Sequence, residues 1–206
     1  MFTRTLSKRL SAAVAAGTGA LVLLTACGGG GDSMTGHEKP TSSAATAPAT
    51  AQPGASFNDA DVMFAQMMIP HHQQAVEMAD LAATRAADPE VKELATKIKA
   101  AQDPEIETLR GWLKEWGKPA GDMQGMDHGM PGMMSAEDMK KLEDAKGAAF
   151  DEQFARLMIA HHEGAIQMAK TEQAQGTNPE AKELAKTIET AQQGEIDQMR
   201  KIIDRL

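Results

Sequence analysis

The feature that most constrains this chain is an internal repeat. Sliding the sequence on itself by 90 positions aligns Asp61–Arg110 with Asp151–Arg200 without a gap, and 22 of the 50 pairs are identical. Phe64-Ala65-x-x-Met68-Ile69-x-His71-His72 returns as Phe154-Ala155-x-x-Met158-Ile159-x-His161-His162, and Ala75-Val76-x-Met78-Ala79 as Ala165-Ile166-x-Met168-Ala169. A period of this length means two copies of one supersecondary unit, each needing the other to bury its apolar face. The repeats span about 57–116 and 136–204, with a crossover at 117–135.

Each copy reads as a helical hairpin. Apolar residues recur three and four apart, Phe64, Met68, Ala75 and Met78 in one helix and Leu94, Ile98, Ile106 and Leu109 in the next, and strand alternation is absent. Asp88-Pro89-Glu90 and Asn178-Pro179-Glu180 each offer an N-cap, a proline at the first helical position and an acid in the first turn. Ser135-Ala136-Glu137-Asp138 resembles a capping box. Helices are predicted at about 58–86, 89–116, 136–175 and 179–204, and the fold class is all-α: an antiparallel four-helix bundle with pseudo-twofold symmetry, built from a duplicated helical hairpin. Pro104 and Gly194 share a repeat position, so matching irregularities are expected there.

The paired histidines carry the chemistry. Residues four apart stack on one helix face and residues seven apart nearly so, which puts Met68 beside His72 and Met78 two turns from His71. The same holds for Met158 with His162 and Met168 with His161. If the twofold brings these helices together, four imidazoles and up to four thioethers gather at one level. Imidazole and thioether favour copper, Cu(I) above all, over magnesium, calcium or manganese. Di-iron bundles use Glu-x-x-His, but the residues three before His71 and His161 are Met68 and Met158. Core packing alone accounts for Met63 and Met139.

The crossover adds a second soft-donor signal. Met123, Met126, His128, Met130, Met133 and Met134 lie in a stretch too rich in glycine for a helix, so these methionines are expected to pack no core. A loop gathering Met126, His128 and Met130 around a soft monovalent ion accounts for the composition, against a plain linker or a Met-rich patch for an apolar partner. Met34-Thr35-Gly36-His37 is a fainter echo.

The N-terminus supplies an address. Arg4, Lys8 and Arg9 precede an apolar run from about Leu10 to Leu24, which reads as a secretory signal over 1–26 rather than a membrane span. Leu24-Thr25-Ala26-Cys27 resembles the lipobox of bacterial lipoproteins, which implies that Cys27, the one cysteine, becomes the lipidated first residue. The stretch 27–56, rich in Gly, Ser, Thr, Ala and Pro, reads as a tether to the bundle domain at 57–206. Removing the signal takes away three of 21 basic residues and none of 29 acidic ones, leaving a net charge of −11. With no basic stripe, nucleic acid is excluded as a partner. The expected location is the outer face of the cell membrane, held by lipid.

Both copies carry Met-Ile-x-His-His-x-x-Ala-x-x-Met-Ala, at Met68–Ala79 and Met158–Ala169. Here the chain resembles the bacterial secreted proteins grouped as domain of unknown function 305, over about residues 57–204. The resemblance implies a ferritin-like bundle and, for some members, copper binding and copper tolerance in the cell envelope. One difference separates the copies: Pro70 stands where the second has Ala160, and should kink the first helix before His71.

Together these features describe an extracytoplasmic copper-binding lipoprotein that buffers copper or passes it to a partner, alone or as a homodimer. His71, His72, His161 and His162 form the nitrogen core, Met68, Met78, Met158 and Met168 the thioether ligands or packing shell, and the 126–134 loop an exchangeable site. No catalytic residue is assigned, since no nucleophile-base motif or phosphate loop is present. Two other readings stay open: a metal-centred oxidase, with Glu77 and Glu163 as the nearest acids, and a metal-free module whose histidines respond to pH.

Overall fold

The computed structural model describes residues 56–120 and 130–206. The signal, Cys27 and the tether lie outside the described residues, as do Met123, Met126 and His128. Five helices follow in order: α1 Asp59–Arg85, α2 Pro89–Glu115, α3 Ala136–Asp144, α4 Ala148–Gln175 and α5 Pro179–Arg205. Among the described residues there is no strand, and no helix is long and apolar enough to cross a membrane.

The helix starts are built as the sequence implies. Asn58 caps α1 and forms a capping box with Asp61, Asp88 and Asn178 cap α2 and α5 ahead of Pro89 and Pro179, and Ser135 caps α3. Each cap supplies an acceptor to amides that have no partner inside the helix. The helix predicted at 136–175 is two helices. It breaks at 145–147, where Gly147 takes φ +65° and donates its N–H to the carbonyl of Arg85 at 2.8 Å. A side chain disfavours that backbone region, so the glycine permits the corner. The expected irregularities do not interrupt the helices: α1 runs on through Pro70, α2 through Pro104 and α5 through Gly194.

α1 packs on α2 and α4 on α5 as antiparallel hairpins, and the hairpins meet through α1 and α4. These two central helices run antiparallel, since Asn58 before α1 reaches the carbonyl of Gln175 at the end of α4, while Arg85 at the end of α1 meets Gly147 before α4. Apolar burial divides into two clusters. One holds Met78, Leu94, Ile98, Leu142, Phe150, Phe154, Met158 and Ile196; the other holds Phe64, Met68, Leu109, Leu113, Met168 and Ile188. Each large side chain fully removed from water contributes about 1.5–3 kcal/mol. The histidine pairs lie in mid-helix, between the two.

Reciprocal carboxylates lock the hairpins together. Buried Asp151 of α4 accepts from the amides of Ala87 and Asp88 in the α1–α2 turn. Asp61 of α1, its repeat equivalent, accepts from the amides of Thr177 and Asn178 in the α4–α5 turn. Burial works to raise the Asp61 pKa, but hydrogen bonds from the Glu172 side chain and from the amides of Asn58, Asn178 and Thr177 overcome it and hold the carboxyl below its usual range.

Candidate metal centre

The antiparallel crossing of α1 and α4 brings His71 and His161 together, with ring centroids 3.7 Å apart and planes tilted by 38°. His162 follows at 6.5 Å from His161. All four histidines are fully buried. The period of 3.6 residues explains the geometry: the first histidine of each pair faces the other hairpin and the second faces its own. His72 accordingly reaches Glu105 of α2, with Nε2 to Oε2 at 2.8 Å, and His162 reaches Glu195 of α5 at 2.6 Å.

These hydrogen bonds fix which ring nitrogens are free. A carboxylate oxygen and a carbonyl oxygen only accept, so Nε2–H donates in His72 and His162, and also in His71, whose Nε2 meets the carbonyl of Pro131 at 3.1 Å. The Nδ1 atom of each of these rings is buried without a hydrogen-bond partner. Neither nitrogen of His161 has one. Burial, then the neighbouring His72, lowers the pKa of His71 to about 3. Burial, then His71, holds His161 well below the ordinary imidazole range. Both are neutral at physiological pH, the protonation state that binds a metal.

Met68, Met78 and Met158 are fully buried, and Met168 is nearly so. Met68 and Met168 belong to one apolar cluster and Met78 and Met158 to the other, so thioethers flank the imidazoles on both sides. Among the described residues no three His, Cys, Asp or Glu side chains converge as one ready-made metal-ligating group. What the residues offer a soft ion is a set of buried, unpartnered imidazole nitrogens with sulfur beside them.

The crossover behaves differently from expectation. Two of its described methionines do pack: Met130 is 8% exposed, and Met134 lies against the cluster containing Leu142 and Phe150. The segment is seated by a repeat position that differs between the copies. Gln74 of α1 holds Met134 by both ends, its Nε2 donating to the carbonyl at 3.0 Å and its Oε1 accepting from the amide at 2.7 Å. The equivalent Gly164 of α4 makes room for the loop, because a Cβ there would stand 2.0 Å from the Pro131 carbonyl oxygen. Gly132, at φ +79°, completes the fit against the carbonyls of Ala160 and His161. Pro131 is thereby placed over His71.

Glu77 and Glu163 are exposed, and Glu163 pairs with Arg200 at 3.3 Å. The carboxylates that reach the histidines, Glu105 and Glu195, were missed because they lie 33 residues away in sequence. The repeat held the signal: each copy carries a glutamate at that same separation from its second histidine. Met63, expected in the core, is 59% exposed, whereas Met139 packs against the core as expected.

Residues 61–203 match the family described as Domain of unknown function (DUF305). A Streptomyces coelicolor DUF305 protein described as secreted is 36% identical, with a TM-score of 0.66 over 71% of this chain and 93% of that one. CopM in its Cu(II)-bound form is 36% identical with a TM-score of 0.62, and in its Cu(I)-bound form 34% identical with 0.59, each over 70% of this chain and 96% of that one. No curated protein matches the chain.

Proposed function

We propose that this chain, which belongs to the DUF305 family, is a copper-binding protein of the cell envelope that buffers Cu(I) or hands it on. The observation that carries the reading is the set of buried imidazole nitrogens without partners. A buried polar atom left unsatisfied costs about 1–3 kcal/mol, and His71, His72, His161 and His162 together hold five. A soft ion taking up the lone pairs among them satisfies groups that the apo fold leaves bare.

Imidazole nitrogen with flanking thioether selects Cu(I) over hard cations. His71, His72, His161 and His162 supply nitrogen, with Met68, Met78, Met158 and Met168 as thioether ligands or shell. Met126, His128 and Met130 of the crossover form an accessory, exchangeable site. The likeness to a protein crystallised with Cu(I), Cu(II) and silver supports the same reading. The protein acts as carrier or reservoir, not as an enzyme on an organic substrate, and Cys27 holds it to the outer face of the membrane by lipid.

The test is a Cu(I) titration against a competing chelator, comparing the native chain, His71→Ala/His161→Ala, and a variant lacking residues 123–134. Tight binding that disappears in the histidine variant places the ion in the bundle. Equal, weak binding in all three overturns the reading.

A further inference from the structure

The pseudo-twofold gives the α1/α4 pair two equivalent grooves, and they are treated differently. On one side α3 lies against both helices, with Leu142 fully buried and Met139 and Met134 packed beside it. On the other side no described element covers the groove. An open cavity of about 360 Å³ remains, walled by Met63 and Met67 of α1, Met168 of α4, Pro131 and Glu172.

The contents of this cavity are unlike those of its filled counterpart. Met63 and Met67 are one helical turn apart, and their repeat equivalents are Gln153 and Leu157, so these two thioethers belong to one copy alone. Glu172 stands where the first copy has Ala82. It is 1% exposed, it lines the cavity, and its carboxyl lies against that of Asp61. A single exposed methionine needs no explanation. Three thioethers in one solvent-open cavity, beside a buried carboxyl, describe a cation site of soft character.

We propose that this groove is a second soft-metal site, in which the thioethers of Met63, Met67 and Met168 take a monovalent ion of the Cu(I) or Ag(I) class beside Glu172. The donors are uncharged and carry no proton, so the site selects against hard divalent cations. It opens to solvent, whereas the histidines are sealed, and Pro131, which holds His71, forms part of its wall. The site shares Met168 with the thioether shell of the histidine centre, but Met63 and Met67 are its own, so it does not need that centre to bind.

The test is Ag(I) titration of the full chain carrying Cys27→Ser, with methionine methyl groups labelled with carbon-13 and histidine ring signals followed in the same sample. Met63→Leu/Met67→Leu is the comparison, because Leu for Met keeps volume and costs under about 1.5 kcal/mol. The expected result is that the Met63, Met67 and Met168 methyl signals shift together, and that the double variant binds one equivalent less silver while its histidine signals respond as before. Methyl signals at Met63 and Met67 that stay fixed while the histidines respond overturn the groove site and leave an apolar groove. Shifts of those methyls with silent histidines uphold it and overturn the histidine centre instead.

Discussion

The two hairpins share their chemistry and differ in their surroundings. Both carry a histidine held by a glutamate of the partner helix, His72 with Glu105 and His162 with Glu195, and both lend an aspartate to the other's turn. Among the repeat positions at which they differ, three lie beside the centre or its grooves: Pro70 against Ala160, Gln74 against Gly164, and Ala82 against Glu172. The shared set builds the twofold centre; the unshared set decides what covers it. A symmetrical pair would leave two identical faces, whereas Gln74 and Gly164 together seat one loop on one side.

The largest effect is expected where the symmetry is strictest. Asp151→Ala leaves the buried amides of Ala87 and Asp88 without an acceptor and should cost about 3 kcal/mol in urea unfolding. Equal cost from Asp61→Ala would show the two latches to be equivalent; a smaller one would show that losing the Glu172 contact offsets part of it. Next comes the loop seat. Gly164→Ala drives a Cβ into the Pro131 backbone and should cost about 1–3 kcal/mol, with faster amide hydrogen exchange at Met134. Unchanged exchange would mean that Gln74 alone seats the loop.

The smallest effect, read per pH unit, separates the copies by titration. His71 and His161 have folded pKa values below the ordinary 6.5, so the unfolded chain binds more protons and stability is lost as pH falls below about 6.5, down towards 3 for His71. Burial, then Asp61, raises Glu172 to about 8, so its stabilising effect is complete below its ordinary 4.5 and is lost as pH rises from there to about 8. Two histidines outweigh one glutamate on the acid side, at roughly 1.4 kcal/mol per pH unit for each group. The apo protein should therefore be most stable near pH 6.5. Glu172→Gln should flatten the profile above that optimum and steepen it below. A profile unchanged by the substitution would remove Glu172 from the account.

Local rules made much of this molecule readable beforehand. Periodicity and caps locate the hairpins, and the repeat puts the four histidines at one level once a twofold pair is assumed. What escaped was set by contacts between elements distant in sequence. Glu105 and Glu195 look like ordinary helix-surface acids until the second helix of each hairpin turns them onto an imidazole. The corner at Gly147 needed the carbonyl of Arg85, 62 residues earlier, to receive its amide. Met134 and Met63 exchanged expected places because α3 covers one groove and leaves the other open, which no helical period encodes.

The exchanged aspartates also bear on how the chain folds. Each turn is finished by a residue of the opposite hairpin, so a hairpin folded alone would present bare amides where its neighbour's carboxylate should be. The smallest complete unit is therefore two hairpins, and the halves are bound to form and melt as one cooperative body. Breaking the polypeptide within the crossover would change the order of the assembly reaction, from one chain to two, without changing the structure that the pieces must reach together.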